Sequence, residues 1–292
     1  MDLDSFVTEL YVTIDDWWRT QPSPRRPGRP RRLSSSEVLA VVAQWPRWRS
    51  ERDFWRFADR RLRGLFPRLG SQSQLNRQLR AIEPVLRSLQ RAPAQQLAGP
   101  AEIYHVLDTT LIPALHRVRA CRPGLFAGQA SFGWCVSRPR GVYGFKVALS
   151  VSRSGVITAF GLAPANADER PIGEALLALD GFTTYLTDKG FASASWEQHW
   201  RTTYGAEVIT TPMRSSHRAW SGATYRWAAG HRQVIEQVID QLKDLFALER
   251  HRAKTLSGLL ARLAAKVTAF TLGEWLNVQH DRPLRRLADL LV

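Results

Sequence analysis

The chain has 292 residues, of which 44% are hydrophobic and 23% are charged, a composition typical of globular rather than disordered proteins. Its 41 lysine and arginine residues exceed its 26 acidic residues and give a formal net charge of +15, which predicts a polyanionic partner such as a phosphate backbone. The two cysteines, Cys121 and Cys135, form no CxxC pair, so the sequence argues against a disulfide framework and against a zinc site.

The first residues of the sequence do not predict a targeting signal. The sequence Met1-Asp2-Leu3-Asp4 is acidic and lacks the basic head and apolar core of a signal peptide. No uncharged apolar stretch is long enough to span a bilayer. We therefore expect a cytoplasmic protein that does not enter a membrane and that associates with the nucleoid when it is bound to DNA.

The first third of the chain carries most of the excess charge. Between Arg19 and Arg91 there are 18 arginines, no lysine and five acidic residues, a local net charge of +13. Arginine suits bidentate contacts with phosphate and guanine. The Pro/Arg/Gly-rich segment 21–32 cannot be helical. Its Arg29, Arg31 and Arg32 are predicted to contact DNA phosphates. The alternative is that this segment forms an arm that binds in the minor groove of DNA.

Apolar periodicity predicts several short helices in this region. A capping box, Ser34-x-x-Glu37, opens the second of them. Short basic helices in series indicate an all-α DNA-binding region over residues 1–98, similar to a helix-turn-helix domain; a helical bundle with a solvated arginine face is the alternative. The predicted helices cover residues 3–19, 37–44, 51–62 and 73–90, the last one interrupted near Pro84, and a boundary is expected at 93–100.

After residue 100 the pattern changes to strands alternating with helices. Strands are predicted over 103–108, 143–151, 156–162, 182–187 and 207–211, and helices over 168–179, 193–203, 232–248 and 255–276. Ser152-Arg153-Ser154-Gly155 is a good hairpin turn between the second and third strands. Three antiparallel strands followed by two helix-linked strands predict an α/β fold in residues 99–292, a ribonuclease-H-like mixed five-stranded sheet flanked by helices.

Three acidic residues stand out in this second region. Asp108 and Asp188 each lie at the end of a predicted strand, and Glu236 lies between the apolar stripe and the solvated face of the helix from Arg232. An acid carried by an apolar strand is costly unless it is paired or bound to metal. Each has a simpler interpretation: Asp108 and Asp188 as turn residues, and Glu236 as the partner of Arg232 in a surface i, i+4 ion pair. Together they indicate a site for divalent cations beside a bound polyanion.

Several sequence blocks of the chain resemble a known family. They are Leu107-Asp108-Thr109-Thr110, Tyr143-Gly144-Phe145-Lys146, Leu162-Ala163-Pro164-Ala165-Asn166-x-Asp168, Thr187-Asp188-Lys189-Gly190-Phe191 and Arg232-x3-Glu236-x6-Lys243. With these blocks the chain resembles DDE transposases of bacterial insertion sequences, whose last block is the Tyr-Arg-Glu-Lys signature. Ala229 stands at the position of the signature's tyrosine.

The resemblance implies a catalytic core in which Asp108, Asp188 and Glu236 bind two Mg²⁺ or Mn²⁺ ions. Two such ions clamp the entering and leaving oxygens of a phosphodiester. The implied partners are double-stranded DNA, both terminal inverted repeats and target, and a second copy of the chain that forms a homodimer in a synaptic complex. We predict that Arg232 and Lys243 contact phosphate, with Lys189 as a further candidate, and that Asn166 and Asp168 order the loop after the third strand.

Other functions remain open at this stage. A sequence-specific DNA-binding regulator would bind without metal-dependent nicking. A ribonuclease-H-like nuclease, such as a junction resolvase, would cut without strand transfer, and an inactive relic of a transposase would do neither.

Overall fold

A computed structural model of the chain describes residues 1–22, 33–44, 48, 50–115, 124–135, 140–212 and 220–290. The chain divides into two compact units, the first formed by residues 1–93 and 242–292 and the second by residues 94–241. The helices in chain order are α1 (Leu3–Arg19), α2 (Ser35–Gln44), α3 (Glu51–Arg61), α4 (Gln72–Ala81), α5 (Glu83–Ala98), α6 (Glu169–Asp180), α7 (Ala194–Tyr204), α8 (Gly222–Asp244) and α9 (Leu256–Gln279). The strands are β1 (His105–Leu115), β2 (Ser131–Cys135), β3 (Arg140–Ser152), β4 (Ile157–Pro164), β5 (Thr184–Thr187) and β6 (Glu207–Thr210).

The first unit is helical, and its N-terminal helices form where apolar periodicity predicts them. In α1 the residues Phe6, Val7, Leu10 and Ile14 are buried, because spacings of three and four residues place them on one face. The backbone N–H of Ser34 donates to Glu37 at 2.6 Å and that of Glu37 donates to the Ser34 hydroxyl at 3.1 Å, so the predicted capping box at the start of α2 is confirmed.

The C-terminal helix α9 forms the core of this first unit. It packs against α2 and α4 and is buried along almost its whole length. By length and composition α9 is the one helix among the described residues that could cross a membrane, but 72% of its apolar window is buried inside the protein. The core helix of a globular protein has the same composition, and α9 also carries Arg262, Lys266 and Glu274.

The second unit is built on a mixed β-sheet. Its strand order is β2-β3-β1-β5-β6, and β4 pairs with β3. Strands β1, β3 and β4 are antiparallel, whereas β1, β5 and β6 are parallel. Three antiparallel strands followed by two parallel, helix-linked strands are compatible with the predicted ribonuclease-H-like fold.

Helices α6 and α7 cover one part of this sheet. α6 packs against β3 and β4, and α7 packs against β6. Their buried side chains form a core with those of the strands, in which Trp200 and Tyr185 are the largest members; Leu107, Ala148, Ala159, Leu176, Leu177, Phe191, Ala206 and Val208 complete it. This core fixes the sheet from which the candidate site projects.

Several element boundaries differ from the prediction. Strand β1 continues through Asp108 to Leu115, because β3 pairs with it as far as Leu115. A sixth strand, β2, pairs with the first residues of β3. Helix α5 runs through Pro93 to Ala98, beyond the predicted helix over 73–90, and α8 begins at Gly222 rather than Arg232.

Candidate active site

The sheet register brings Asp108 and Asp188 together. In the parallel pair of β1 and β5, Leu107 is opposite Thr187, and an aspartate follows each of these residues. Asp188 ends its strand as predicted, and its carboxylate accepts a hydrogen bond of 2.7 Å from the Lys189 N–H. Asp108 does not end its strand: it pairs with Leu149 inside β1. It lies instead beside the C-terminal end of β5, the parallel partner of β1. Both carboxylates are therefore at the same end of the β1–β5 pair.

Arg232 lies between the two aspartates. Its guanidinium is 3.5 Å from a carboxylate oxygen of Asp108 and 3.4 Å from one of Asp188. The Arg232 side chain is 16% exposed, that of Asp108 21% and that of Asp188 41%. Arg232 was predicted to contact DNA phosphate or to pair with Glu236 along the helix; the structure pairs it with these two acids of the sheet.

The electrostatics of Asp108 reflect its position inside the sheet. Burial raises the pKa of Asp108 to about 6, because removing a carboxylate from water disfavours its charged form. The 2.7 Å hydrogen bond from the Thr109 N–H and the charge of Arg232 act in the opposite direction, while Asp188 and Glu169 raise the pKa further. Several negative charges therefore share this edge, which favours a bound cation.

Glu236 lies one helical turn after Arg232 on α8. Its neighbours Ile235, Val238 and Ile239 are buried as the helical projection predicts, but Glu236 is exposed rather than at the border of the core. Within the described ranges, no group of three or more His, Cys, Asp or Glu side chains is close enough to hold a metal ion. The structure thus brings Asp108 and Asp188 together and does not join Glu236 to them.

The donor set of the two aspartates suits a hard divalent cation. Both supply carboxylate oxygens, which Mg²⁺ prefers, and both point at a common positive group, Arg232. Both also keep access to solvent. Asp108 and Asp188 therefore fit a metal site, and the role of Glu236 as the third ligand remains a prediction.

The other predicted DNA contacts are spread over the chain. Lys189 is exposed in the short 3₁₀ turn after Asp188. Lys243, near the end of α8, is 3.7 Å from a carboxylate oxygen of Glu249. Arg29, Arg31 and Arg32 lie outside the described residues.

One acid at the site was missed by the sequence analysis. The Glu169 carboxylate accepts a hydrogen bond of 2.7 Å from the Thr109 hydroxyl and is 3.1 Å from the Lys146 ammonium. In sequence, Glu169 is an ordinary acid in the first turn of a helix. Asp168 caps α6 and accepts a hydrogen bond from the Arg170 N–H at 3.0 Å.

Comparison with known families identifies the class of protein. A family model described as transposase DDE domain matches residues 106–272, a span that includes Asp108, Asp188 and Glu236. Because the match covers more than half of the chain, the chain belongs to the transposase DDE domain family. The protein is therefore a transposition enzyme that acts on DNA, in a family that generally uses divalent metal ions. No curated protein and no solved structure matches the chain.

Proposed function

We propose that this protein binds the ends of its insertion sequence, cleaves DNA phosphodiesters there and transfers the freed 3′ strand to target DNA. The observation that carries this proposal is the parallel register of β1 and β5, which sets Asp108 and Asp188 side by side at Arg232. We place the reaction in the cytoplasm, on double-stranded DNA.

Each acidic residue has an assigned task. Asp108 and Asp188 would hold the Mg²⁺ or Mn²⁺ ions from the sheet, and Glu236 would supply the third carboxylate from α8. Two such ions, when bound, stabilise the negative charge that develops on both the attacking and the leaving oxygen. Arg232 lies beside both aspartates, so it can neutralise them before metal binds and contact a substrate phosphate afterwards.

The same acids serve hydrolysis and strand transfer in this proposal. Asp108, Asp188 and Glu236 would hold the same divalent ions beside the phosphodiester in both reactions, and only the attacking hydroxyl would differ, first that of water and then the 3′-OH of the cleaved end. Because the two reactions share their charge development, one set of carboxylates is sufficient.

DNA binding is assigned to the arginine-rich N-terminal region, residues 1–98, and the catalytic function to residues 99–292. The local charge of +13 between Arg19 and Arg91 supplies the cations that release counterions from DNA. Arg29, Arg31 and Arg32 would contact phosphates from the linker, Lys189 and Lys243 from the catalytic part. Joining two transposon ends requires two active sites, which supports a homodimer in the synaptic complex.

A cleavage assay tests this function. The substrate is a labelled duplex with the terminal inverted repeat that borders the gene, incubated with Mg²⁺ and a plasmid target. Wild type is expected to nick the end and to join it to the plasmid. The variants Asp108→Asn, Asp188→Asn and Glu236→Gln should lose on the order of 10³-fold in nicking, the scale for a group that stabilises transition-state charge.

The control is Asp240→Asn, an exposed acid one turn beyond Glu236 on α8, which should nick like wild type. Nicking without joining would identify a nuclease that lacks strand transfer. DNA binding without any nicking by wild type would favour a regulator or an inactive transposase. Nicking that persists in Asp108→Asn would remove the catalytic role of that residue.

A further inference from the structure

Glu169, the first residue of α6, connects the two segments that carry the catalytic aspartates. Its oxygen Oε1 accepts the 2.7 Å hydrogen bond from Thr109, the residue directly after Asp108. Its oxygen Oε2 lies against Gly190, two residues after Asp188. One carboxylate therefore touches both the Asp108 and the Asp188 segments.

Lys146 on β3 holds this carboxylate in place. Its ammonium group donates to Glu169 Oε1 at 3.1 Å and to the carbonyl oxygen of Ala167 at 3.0 Å. Both side chains are largely buried, so the pair is screened less by water than a surface ion pair.

The packing of α6 does not require Glu169. Asp168 caps the start of the helix, Gly181 ends it in the left-handed conformation, and Leu176 and Leu177 anchor it in the core. The contacts of Glu169 are directed instead to Thr109, Lys146 and Gly190. Thr109 and Gly190 belong to the segments that carry Asp108 and Asp188, so Glu169 is suited to orienting these two segments.

The contact with Glu169 also explains why residue 190 is a glycine. Its φ does not lie in the left-handed region, so its backbone conformation does not call for glycine. A Cβ atom at this position would collide with Oε2 of Glu169. The space that the missing side chain leaves is thus occupied by the Glu169 carboxylate.

We propose that Glu169 is a positioning residue: it fixes the separation of the Asp108 and Asp188 carboxylates and so prepares them for divalent cations. This inference rests on the proposed function of the two aspartates. It predicts that Glu169 acts on metal affinity, and only through it on the reaction.

Mn²⁺ binding to the complex of the full chain with end DNA tests the proposal, measured by electron paramagnetic resonance. Glu169→Ala should weaken Mn²⁺ binding about 10- to 100-fold, the range for a group that orients metal ligands, and saturating Mn²⁺ should restore most of the nicking. Glu169→Gln keeps the acceptor for Thr109 and should lose less. The control is Glu174→Ala, on the same helix, whose carboxylate contacts His199 and Tyr204; it should bind Mn²⁺ like wild type.

A second variant displaces the Glu169 carboxylate without removing it. In Gly190→Ala the new methyl group meets the end of a flexible side chain, so the protein should fold while Glu169 moves away. Gly190→Ala should weaken Mn²⁺ binding in the wild-type background and have little further effect in Glu169→Ala. Fully additive losses in the double variant would overturn the proposed coupling.

The outcomes separate this inference from the function on which it rests. If Asp108→Asn abolishes nicking while Glu169→Ala binds Mn²⁺ as tightly as Glu174→Ala, the positioning role is wrong and the catalytic role of Asp108 stands. If Asp108→Asn nicks like wild type, the proposed function itself fails.

Discussion

Arg232 on α8 holds its guanidinium 3.5 Å from the carboxylate of Asp108 on β1. The contact joins a helix residue to a sheet residue 124 positions earlier in the chain, and Asp188 accepts from the same guanidinium at 3.4 Å. A positive group thus occupies the place between two aspartates where a divalent cation would also be stabilised. Protein stability and metal binding should therefore be coupled at this site.

Replacing Arg232 tests this coupling. In Arg232→Met the two carboxylates lose their shared cation, and we expect the free energy of unfolding to fall by about 1–3 kcal/mol in buffer without divalent ions, the range for losing hydrogen bonds to charged groups. Without the guanidinium between the two aspartates, Mg²⁺ should bind the folded variant more tightly than it binds wild type. It should therefore raise the melting temperature of the variant more, because a ligand that binds only the folded state stabilises it.

The control for that experiment is Arg226→Met, an exposed arginine on the same helix. It should change neither the stability without metal nor the response to Mg²⁺. If Arg232→Met and Arg226→Met respond identically to Mg²⁺, Arg232 does not share the cation site.

Gly144 on β3 tests the strand pairing that carries Asp108. A Cβ at Gly144 would overlap the carbonyl oxygen of Ile112 and crowd the N–H of Ala114 on β1, and backbone atoms cannot move aside cheaply. Gly144→Ala should lower the free energy of unfolding by more than about 2 kcal/mol. Gly141→Ala, in the same strand with nothing within 4 Å of the added atom, should have a much smaller effect in urea unfolding.

Lys266 in α9 predicts a pH dependence of stability. Burial lowers the pKa of Lys266 to about 7, and in the unfolded chain the pKa returns to about 10.4. Between these values the unfolded state binds more protons than the folded state, so stability rises with pH by up to about 1.4 kcal/mol per pH unit. Below pH 7 the lysine is charged in both states and its contribution is constant.

Urea unfolding at pH 7.5, 8.5 and 9.5 measures this slope. Lys266→Met should remove the contribution of Lys266, so its stability should increase less with pH than that of wild type. Lys254→Met, which replaces an exposed lysine, should keep the wild-type slope. Equal slopes for Lys266→Met and Lys254→Met would show that Lys266 stays protonated in the folded protein.

The elements that the sequence predicted well are those whose cause is local. The apolar stripe of α1 is a matter of spacing, and the turn Ser152 to Gly155 between β3 and β4 contains a glycine with φ of 107°. Asp108 and Asp188 could be selected because each lies at the end of a predicted strand. Their proximity then follows from the pairing of β1 with β5.

The features that the sequence could not predict depend on distant partners. β1 extends beyond Asp108 because β3 lies beside it, and α5 continues through Pro93 although proline disfavours a helix interior. Arg232 faces Asp108 and Asp188 rather than Glu236, and Glu169 reaches Thr109 across 60 residues. Such tertiary contacts outweigh local propensity and leave no periodic signal.

Asp108, Asp188 and Glu236 are proposed to hold the divalent ions of the reaction. Iron-directed cleavage measures it directly: Fe²⁺ replaces Mg²⁺ in the complex with end DNA, and ascorbate with peroxide generates hydroxyl radicals that cut the polypeptide beside the ion. We predict cuts next to residues 108, 188 and 236, which excess Mg²⁺ suppresses and Asp108→Asn abolishes. Cuts at other segments only, or cuts at these three that persist in Asp108→Asn, would contradict the claim.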